Sequence, residues 1–288
     1  MTSAYSDKAC RFFAMLGDAE HICIVVHSHP DGDALGCSAA LCRFVRERFA
    51  KDCNVIMPDA GPRVLDFVHE DLGCINAGED GEKAAAMLTE ADLIVCMDMN
   101  AFDRAASLEE TLRLSDAAKV LIDHHLNPDE KSFDLTISEK DISSASELLY
   151  WVLVSMPGMT GAEDLPLKCA EALMTGMTTD TNNFANSVYP STLRMASELL
   201  EAGVDRDAII NELYNRYRPN RVKAIAWFLS NKMTLRPNGI ASIIVSRQEW
   251  HELGLKEGEL EGMVNIPLGI DSIKLVVYLR EDPEDNFF

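Results

Sequence analysis

The chain has 288 residues, 47% of them hydrophobic, which suffices for one large or two ordinary domains with a sizeable core. Its formal net charge of −21 disfavours long nucleic acid as a ligand, because polynucleotides are held mainly through Lys and Arg contacts to phosphate. A small phosphorylated molecule is still compatible with this charge, because bound divalent cations can reverse the electric field locally. No signal-peptide pattern and no long apolar run is present, so we expect a cytoplasmic protein without a membrane partner.

Helical and strand-like patterns alternate from the N-terminus to about residue 200. Apolar periodicity predicts helices over residues 3–20, 34–49, 64–68, 79–88, 102–114, 143–156 and 167–177. Apolar runs predict buried strands at 22–26, from Cys53, at 92–98 and at 118–123. This alternation is typical of an α/β fold with a Rossmann-like parallel sheet. The eight cysteines are scattered without a CxxC pair, which predicts buried free thiols.

The first predicted strand leads directly into a polar turn. The apolar run 22–26 ends at His27, and Asp31 and Asp33 follow in a Pro-Gly turn before a helical pattern starts at Ala34. Because the alternate carboxylates converge on one point, we interpret this strand-to-helix turn as a metal site. An imidazole nitrogen with several carboxylate oxygens suits a borderline divalent ion such as manganese.

Two later strands also end in polar side chains. One apolar run ends at Asp98, and another ends in Asp123, His124 and His125. Taken singly, an aspartate after a strand is more typical of a helix N-cap, and a DGD turn is typical of an exposed loop. In open parallel sheets, however, ligands bind at the carboxyl ends of the strands, near a switch point. The repetition therefore favours one shared site, to which the polar segment around Asp180 adds a further carboxylate.

The pattern changes towards the C-terminus. Residues 191–231 stay helical apart from a break at Pro219, around which five basic residues gather: Arg206, Arg216, Arg218, Arg221 and Lys223. We interpret 206–222 as a helical linker between a domain over 1–205 and a second, smaller α/β domain over 223–288. In the latter, strand-like runs at 240–246 and 272–279 flank a predicted helix over 257–264.

The order of the motifs resembles the DHH phosphoesterase superfamily. HSHPDGDALG, VCMDMN, LIDHHLNP and GMTTDTNNF look like its four motifs over roughly residues 20–200, and the part from about 223 is similar to the start of the DHH-associated domain. The resemblance implies two metal ions, usually Mn²⁺ with Mg²⁺ or Co²⁺ as alternatives, that activate the water attacking phosphorus. The implied ligands are His27 and Asp31 for one ion, Asp33, His124 and Asp180 for the other, and Asp98 for both.

The resemblance also implies roles around the metals. His125 would hydrogen-bond the phosphoryl group or protonate the leaving oxygen, and Asp123 would orient a histidine rather than bind metal. His29, Arg104 and Asn183 are the remaining candidate substrate contacts. Their ordinary alternatives are a hydrogen-bonded neighbour of the site, a helix-surface arginine and a residue that fixes its own loop.

One departure from the superfamily concerns substrate binding. The glycine-rich GGGH segment and the Ser/Arg strand before it are absent from the sequence, which stops soon after the strand-like run 272–279. We expect that the final segment is missing from this chain; the alternative is a protein that has lost the part gripping the substrate's distal phosphate or nucleotide.

The implied function is a manganese-dependent phosphoesterase acting on short oligoribonucleotides or on a bisphosphate nucleotide such as pAp, bound in a cleft between the domains. A cyclic or linear dinucleotide phosphodiesterase, an exopolyphosphatase and a type-II pyrophosphatase use the same chemistry and stay open. A nucleotide sensor without turnover and a purely structural module are the non-enzymatic alternatives. A homodimer is compatible with the sequence, which does not specify the oligomeric state.

Overall fold

The computed structural model describes residues 2–256, 259–260 and 262–281. These residues divide into two compact units, the first ending at Leu213 and the second beginning at Tyr214. The α-helices are α1 (Thr2–Asp18), α2 (Gly32–Arg48), α3 (Asp66–His69), α4 (Gly81–Glu90), α5 (Glu109–Leu114), α6 (Ala145–Leu153), α7 (Leu167–Asp180), α8 (Pro190–Glu201), α9 (Arg206–Tyr214), α10 (Pro219–Asn231), α11 (Arg247–Glu252) and α12 (Asn265–Leu268). The strands are β1 (Ile22–Val26), β2 (Cys53–Met57), β3 (Ile75–Asn76), β4 (Leu93–Met97), β5 (Ala118–Asp123), β6 (Leu135–Ser138), β7 (Thr234–Arg236), β8 (Ile240–Val245) and β9 (Leu275–Arg280).

The first unit contains a six-stranded parallel sheet in the order β3-β2-β1-β4-β5-β6. This is the strand order of a Rossmann-like sheet, in which the direction of progression reverses between β1 and β4. The predicted α/β fold with a parallel sheet and a second small sheet is confirmed. In the second unit β8 lies between β7, which is antiparallel to it, and β9, which is parallel to it.

Both faces of the large sheet are covered, because successive side chains of a strand point to opposite faces. Ile24, Val95 and Val120 pack in the core that contains helices α1, α2, α6 and α7. The alternate positions, such as Val25 and Cys96, pack in a second core with α4 and α5. This double burial explains why the central strands read as continuous apolar runs in the sequence.

Several element boundaries differ from the sequence-based expectations. The predicted helix 102–114 is a 3₁₀ segment, Phe102–Leu108, followed by α5, with a break at Ala106, whose φ is 45°. Helix α7 continues to Asp180 instead of ending at 177. Strands β3, β6 and β7 and helix α11 were not predicted, and they are all six residues long or shorter.

The C-terminal predictions are only partly covered by the structure. The segment 206–222 contains α9 and the start of α10, with Pro219 as the first residue of α10, a position that suits proline. Of the predicted helix 257–264, residues 257, 258 and 261 lie outside the described residues, and the others form turns before α12. All eight cysteines are free and six are buried. Throughout the described part of the chain, each helix is too short or too polar to span a bilayer.

The crossing of α2 and α7 depends on two glycines. A Cβ on Gly36 would lie 2.7 Å from the Cα of Gly176 and 2.8 Å from the carbonyl oxygen of Ala172, closer than real Cβ atoms come. The two helix backbones therefore approach each other closely, as small residues allow. Since α2 carries Asp33 and α7 carries Asp180, this contact sets the separation of two candidate ligands.

Replacing Gly36 by Ala is expected to lower the free energy of unfolding by about 1 to 3 kcal/mol, because overpacking forces the helices apart. Gly17→Ala is the control, since its Cβ would meet only Phe49, at 3.9 Å, and alanine in a helix is favoured over glycine by about 0.5 to 1 kcal/mol. Urea unfolding of both variants measures the difference. Equal stability of the two variants would contradict the tight crossing.

Candidate metal centre

The site lies at the carboxyl ends of β1, β4 and β5, which are adjacent and parallel. Val26 is in register with Met97, and Met97 with Ile122, so the residues that follow these strands emerge side by side. They are the candidate ligands His27, Asp98 and His124. The structure thus brings polar ends of three strands to the switch point at which open sheets bind ligands.

A first cluster consists of His27, Asp31 and Asp98, whose ligand atoms all lie within 4.8 Å of one another. The Nε2 of His27 is 3.5 Å from Asp98 Oδ2 and 3.8 Å from Asp31 Oδ1. The Nδ1 of His27 lies 2.8 Å from the carbonyl oxygen of Ser28. Because a carbonyl oxygen only accepts, Nδ1 carries a proton and Nε2 is the atom that faces the cluster.

A second cluster consists of Asp33, His124 and Asp180, again within 4.8 Å of one another. The Nε2 of His124 is 3.6 Å from Asp180 Oδ2, 3.9 Å from Asp33 Oδ2 and 3.4 Å from Asp98 Oδ1. Asp98 therefore lies within ion-pair distance of one histidine from each cluster. All six residues predicted as metal ligands meet in this region of the first unit.

Asp98 combines three unusual properties. Its φ is 57°, a left-handed conformation that few residues other than glycine, asparagine and aspartate adopt. It is 2% exposed, and its Oδ1 is buried without a hydrogen-bond partner among the described residues. Buried carboxylate oxygens normally have a partner, so an unpaired oxygen beside two histidines suits a ligand of a cation.

Asp33 and Asp31 are held by backbone N–H groups. The buried Asp33 carboxylate accepts from Ala145 N at 2.6 Å and Ser146 N at 2.9 Å, the first two residues of α6. Asp31 is the N-cap of α2 and accepts from two N–H groups of that helix's first turn. Helix N-termini favour negative charge, so both carboxylates are fixed without a basic side chain.

His125 is held by Asp123, the buried last residue of β5. Asp123 Oδ1 lies 2.7 Å from the Nδ1 of His125, and Asp123 Oδ2 accepts from the backbone N of His125 at 3.1 Å. Although Nδ1 is also 3.6 Å from Asp98 Oδ1, the short bond to Asp123 occupies it. The exposed part of the His125 ring therefore presents Nε2, which suits a contact to substrate better than a metal ligand.

The pKa values of the site residues reflect the number of carboxylates around the two histidines. Burial opposes the charged form of His27, but the nearby Asp31 and Asp98 carboxylates raise its pKa to about 10. Burial likewise opposes charge on His124, but Asp98 and the other carboxylates raise its pKa to about 9. Burial raises the pKa of Asp180 to about 6, and burial with the neighbouring carboxylates raises the pKa of Asp33.

The three other predicted substrate contacts have different surroundings. His29, with φ 53° and an exposed ring, lies beside Asp59, whose Oδ2 accepts from the His29 backbone N at 3.0 Å. The Arg104 side chain is exposed, while its carbonyl oxygen accepts from Ser28 N at 2.8 Å. The Asn183 side chain accepts a hydrogen bond from the Arg206 guanidinium. The contacts of all three to a substrate stay predictions.

Sequence reasoning missed the part of the site that α6 supplies. The segment Ser144 to Glu147 carries a Ser-x-x-Glu signature of a helix start, and Ser144 Oγ indeed accepts from Glu147 N at 3.0 Å. That signal predicts the first turn of α6. It does not predict that this turn donates to Asp33, which lies more than a hundred residues earlier in the chain.

Residues 21–177 match the N-terminal domain of the DHH family. The chain belongs to the DHH family. The resemblance stated from the motifs is confirmed, and so is the prediction that this DHH protein is an enzyme of the phosphoesterase class.

Curated relatives align over most of this DHH protein. It is 26% identical over 267 residues to the bifunctional oligoribonuclease and PAP phosphatase NrnA of Bacillus subtilis, covering 91% of this chain and 78% of that protein. It is 26% identical over 244 residues to the cyclic-di-AMP phosphodiesterase GdpP of Geobacillus thermodenitrificans, covering 83% of this chain and 36% of that protein. A solved structure, an exopolyphosphatase-related protein from Bacteroides fragilis, superposes with a TM-score of 0.90 at 34% identity, covering 98% of this chain and 81% of that one.

Divalent metal binding to this DHH protein is expected to release protons. At pH 7 the raised pKa values keep His27 and His124 protonated, and coordination requires neutral imidazoles, so saturation with Mn²⁺ should release about two protons per chain. The apparent affinity should rise with pH until both histidines are neutral, and fall further below pH 6 as Asp180 is protonated.

The measurement is isothermal titration calorimetry of the metal-free protein at pH 7, in two buffers with different heats of ionisation. The difference in observed heat gives the number of protons released. Identical heats in the two buffers, with Mn²⁺ bound, would show that the histidines are already neutral or take no part in binding.

Proposed function

We propose that this protein is a manganese-dependent phosphoesterase that hydrolyses short oligoribonucleotides and removes a phosphate from a bisphosphate nucleotide such as pAp. The observation that carries the proposal is the meeting of two His-carboxylate clusters at Asp98. His27, Asp31 and Asp98 would hold one ion, and Asp33, His124 and Asp180 the other, with Asp98 reaching both. Two divalent ions supply charge neutralisation at phosphorus and a water of lowered pKa.

The donor set supports manganese over the softer metals. Imidazole nitrogens mixed with carboxylate oxygens suit a borderline ion, and no cysteine belongs to either cluster among the described residues. The carboxylates that raise the pKa values of both histidines, and the unpaired Asp98 oxygen, favour a bound cation without distinguishing one metal from another. Mg²⁺ and Co²⁺ stay as alternative ions.

His125 supplies the proton chemistry in this proposal. Its hydrogen bond to Asp123 raises its pKa, despite burial, and fixes the proton on Nδ1 against a carboxylate that only accepts. The protonated ring then presents Nε2–H to a phosphoryl oxygen or to the leaving oxygen, stabilising charge there or donating the proton.

The substrate assignment is supported by the extent of the alignments and by charge. The alignment with NrnA spans 78% of that protein, whereas the one with GdpP spans 36% of that protein. With a net charge of −21, the chain is poorly suited to track a long phosphate backbone, so we propose a substrate of a few nucleotides at most. Cyclic dinucleotides, pyrophosphate and polyphosphate are the competing substrates.

The proposal is tested by turnover of a substrate panel with metal-free protein, before and after addition of Mn²⁺. The panel contains pAp, linear dinucleotides, cyclic dinucleotides, pyrophosphate and polyphosphate. We expect mononucleotides from the dinucleotides and phosphate from pAp, with Mn²⁺ required. Faster turnover of polyphosphate, pyrophosphate or a cyclic dinucleotide would replace the substrate assignment, and tight binding of intact nucleotide without products would favour a sensor.

Asp98→Asn is expected to abolish turnover and weaken Mn²⁺ binding while leaving the fold intact. Asparagine keeps the shape and tolerates the left-handed backbone at this position, but it loses the charge that both histidines face. Activity, metal titration and thermal unfolding are measured on the same preparation. Retained turnover in the folded variant would rule out the shared role of Asp98.

Asp123→Asn is expected to lower kcat about 10- to 100-fold, the usual effect of losing a residue that orients a functional histidine. The asparagine introduced by this substitution has one acceptor oxygen for two donors, the backbone N and Nδ1 of His125. Because the pKa of His125 loses its main support, the loss of activity on the alkaline side should move to lower pH. An unchanged pH profile with wild-type kcat would contradict the role of His125.

A further inference from the structure

A further buried carboxylate, Glu147, lies in α6 outside both clusters. It is fully buried, and each of its oxygens receives hydrogen bonds. Oε2 accepts from Ser143 N at 3.1 Å, from Ser143 Oγ at 2.5 Å and from Thr192 Oγ1 at 2.7 Å, and Oε1 accepts from Trp151 Nε1 at 3.2 Å. Burying a carboxylate is costly, and these four neutral donors offset that cost.

The bonds to Ser143 fix the start of α6. Ser143 directly precedes Ser144, the N-cap of α6. The Glu147 side chain accepts from Ser143 N, and the Glu147 backbone N donates to Ser144 Oγ, so Glu147 holds both residues at the helix start. The next two N–H groups, of Ala145 and Ser146, are the donors to Asp33. The direction in which these two N–H groups point therefore depends on the geometry of the first turn of α6.

The bond to Thr192 reaches the segment that follows Asp180. Thr192 lies in the first turn of α8, and its Oγ1 also accepts from Tyr189 N at 3.1 Å. Residues 181–189 connect Asp180, the last residue of α7, to this turn. Glu147 thus fixes the point at which the segment leaving Asp180 ends.

The turn that Glu147 fixes donates to Asp33, and the segment that ends near Thr192 begins at Asp180. Both of these aspartates belong to the second cluster. Among the described residues, the hydrogen bonds of Glu147 go to neither His27, Asp31 nor Asp98 of the first cluster. We infer that Glu147 is a positioning residue that holds the second cluster in the geometry for its metal ion. The inference rests on the proposed function, because it assumes that each cluster binds an ion.

Glu147→Gln is the decisive variant, since it keeps the size of the side chain. Ser143 N faces Oε2 and Trp151 Nε1 faces Oε1, and both are donors only. In either orientation the glutamine NH₂ therefore meets another N–H, and the turn before α6 must shift. Asp180→Asn serves as a reference, because it removes a ligand of the second cluster directly.

The measurement is Mn²⁺ binding to the metal-free proteins, followed by calorimetry and by the electron paramagnetic resonance signal of free Mn²⁺. Wild type is expected to bind two ions. We expect Asp180→Asn to lose the binding of one Mn²⁺ ion, the ion of the second cluster. In Glu147→Gln the affinity for that same ion should fall about tenfold or more, the scale for residues that orient ligands. The affinity for the other ion should equal that of wild type, both in Glu147→Gln and in the Glu147→Gln, Asp180→Asn double variant.

Two further variants separate positioning from general destabilisation. Leu153→Ala leaves a cavity at the far end of the same helix, where Leu153 is fully buried, and it should lower the unfolding temperature without favouring one binding step over the other. Thr192→Val removes a single donor to Glu147 and should weaken the same step as Glu147→Gln, by less. It also provides the test if Glu147→Gln does not fold.

The outcomes distinguish the two proposals. Wild type that binds no Mn²⁺ overturns the proposed function and, with it, the inference. Wild type with two ions and a folded Glu147→Gln that binds both normally overturns the inference alone. The inference is also overturned if Glu147→Gln and Leu153→Ala each weaken the binding of both ions equally. That result would mean that Glu147 has a purely structural role.

Discussion

The buried Asp98 carboxylate lies between two histidines, and the rest of the site is built around that contact. It follows β4 at the switch point of the sheet, while His27 follows β1 on one side and His124 follows β5 on the other. Since the three strands are parallel and in register, their ends lie at one level. The left-handed backbone of Asp98 then directs a single carboxylate towards both neighbours. Strain of this kind is typical of functional sites.

The negative charge of so many carboxylates has to be stabilised, and in this protein backbone N–H groups at helix starts stabilise Asp33 and Asp31. Asp33 lies against the first N–H groups of α6, and Asp31 caps α2. Neither has a lysine or arginine within ion-pair distance among the described residues, so the site keeps its net negative field. That field binds protons to the histidines when metal is absent, and it favours divalent cations when they are present.

Packing far from the strand ends sets the remaining distances. The close crossing of α2 and α7 at Gly36 and Gly176 brings Asp33 and Asp180 near the same histidine. The hydrogen bonds of Glu147 then join the starts of α6 and α8. In the first cluster, His27 and Asp98 depend on strand ends and Asp31 on the start of α2. In the second, His124 follows β5, whereas Asp33 and Asp180 depend on helix packing. The two halves of the site therefore have different structural supports.

The sequence alone determined the α/β fold and the polar residues at the ends of the central strands, because apolar runs and the residues after them are local patterns. The set of six proposed ligands came from the resemblance of the motifs to a known family. The sequence did not determine that Asp180 ends a helix or that the first turn of α6 donates to Asp33. Nor did it determine that His29 bonds to Asp59, or that Arg206 bonds to Asn183. These features depend on contacts between segments far apart in the chain, and no local periodicity encodes such partners. Only the tertiary structure decided them, since a hydrogen bond between distant segments exists only once packing has brought its donor and acceptor together.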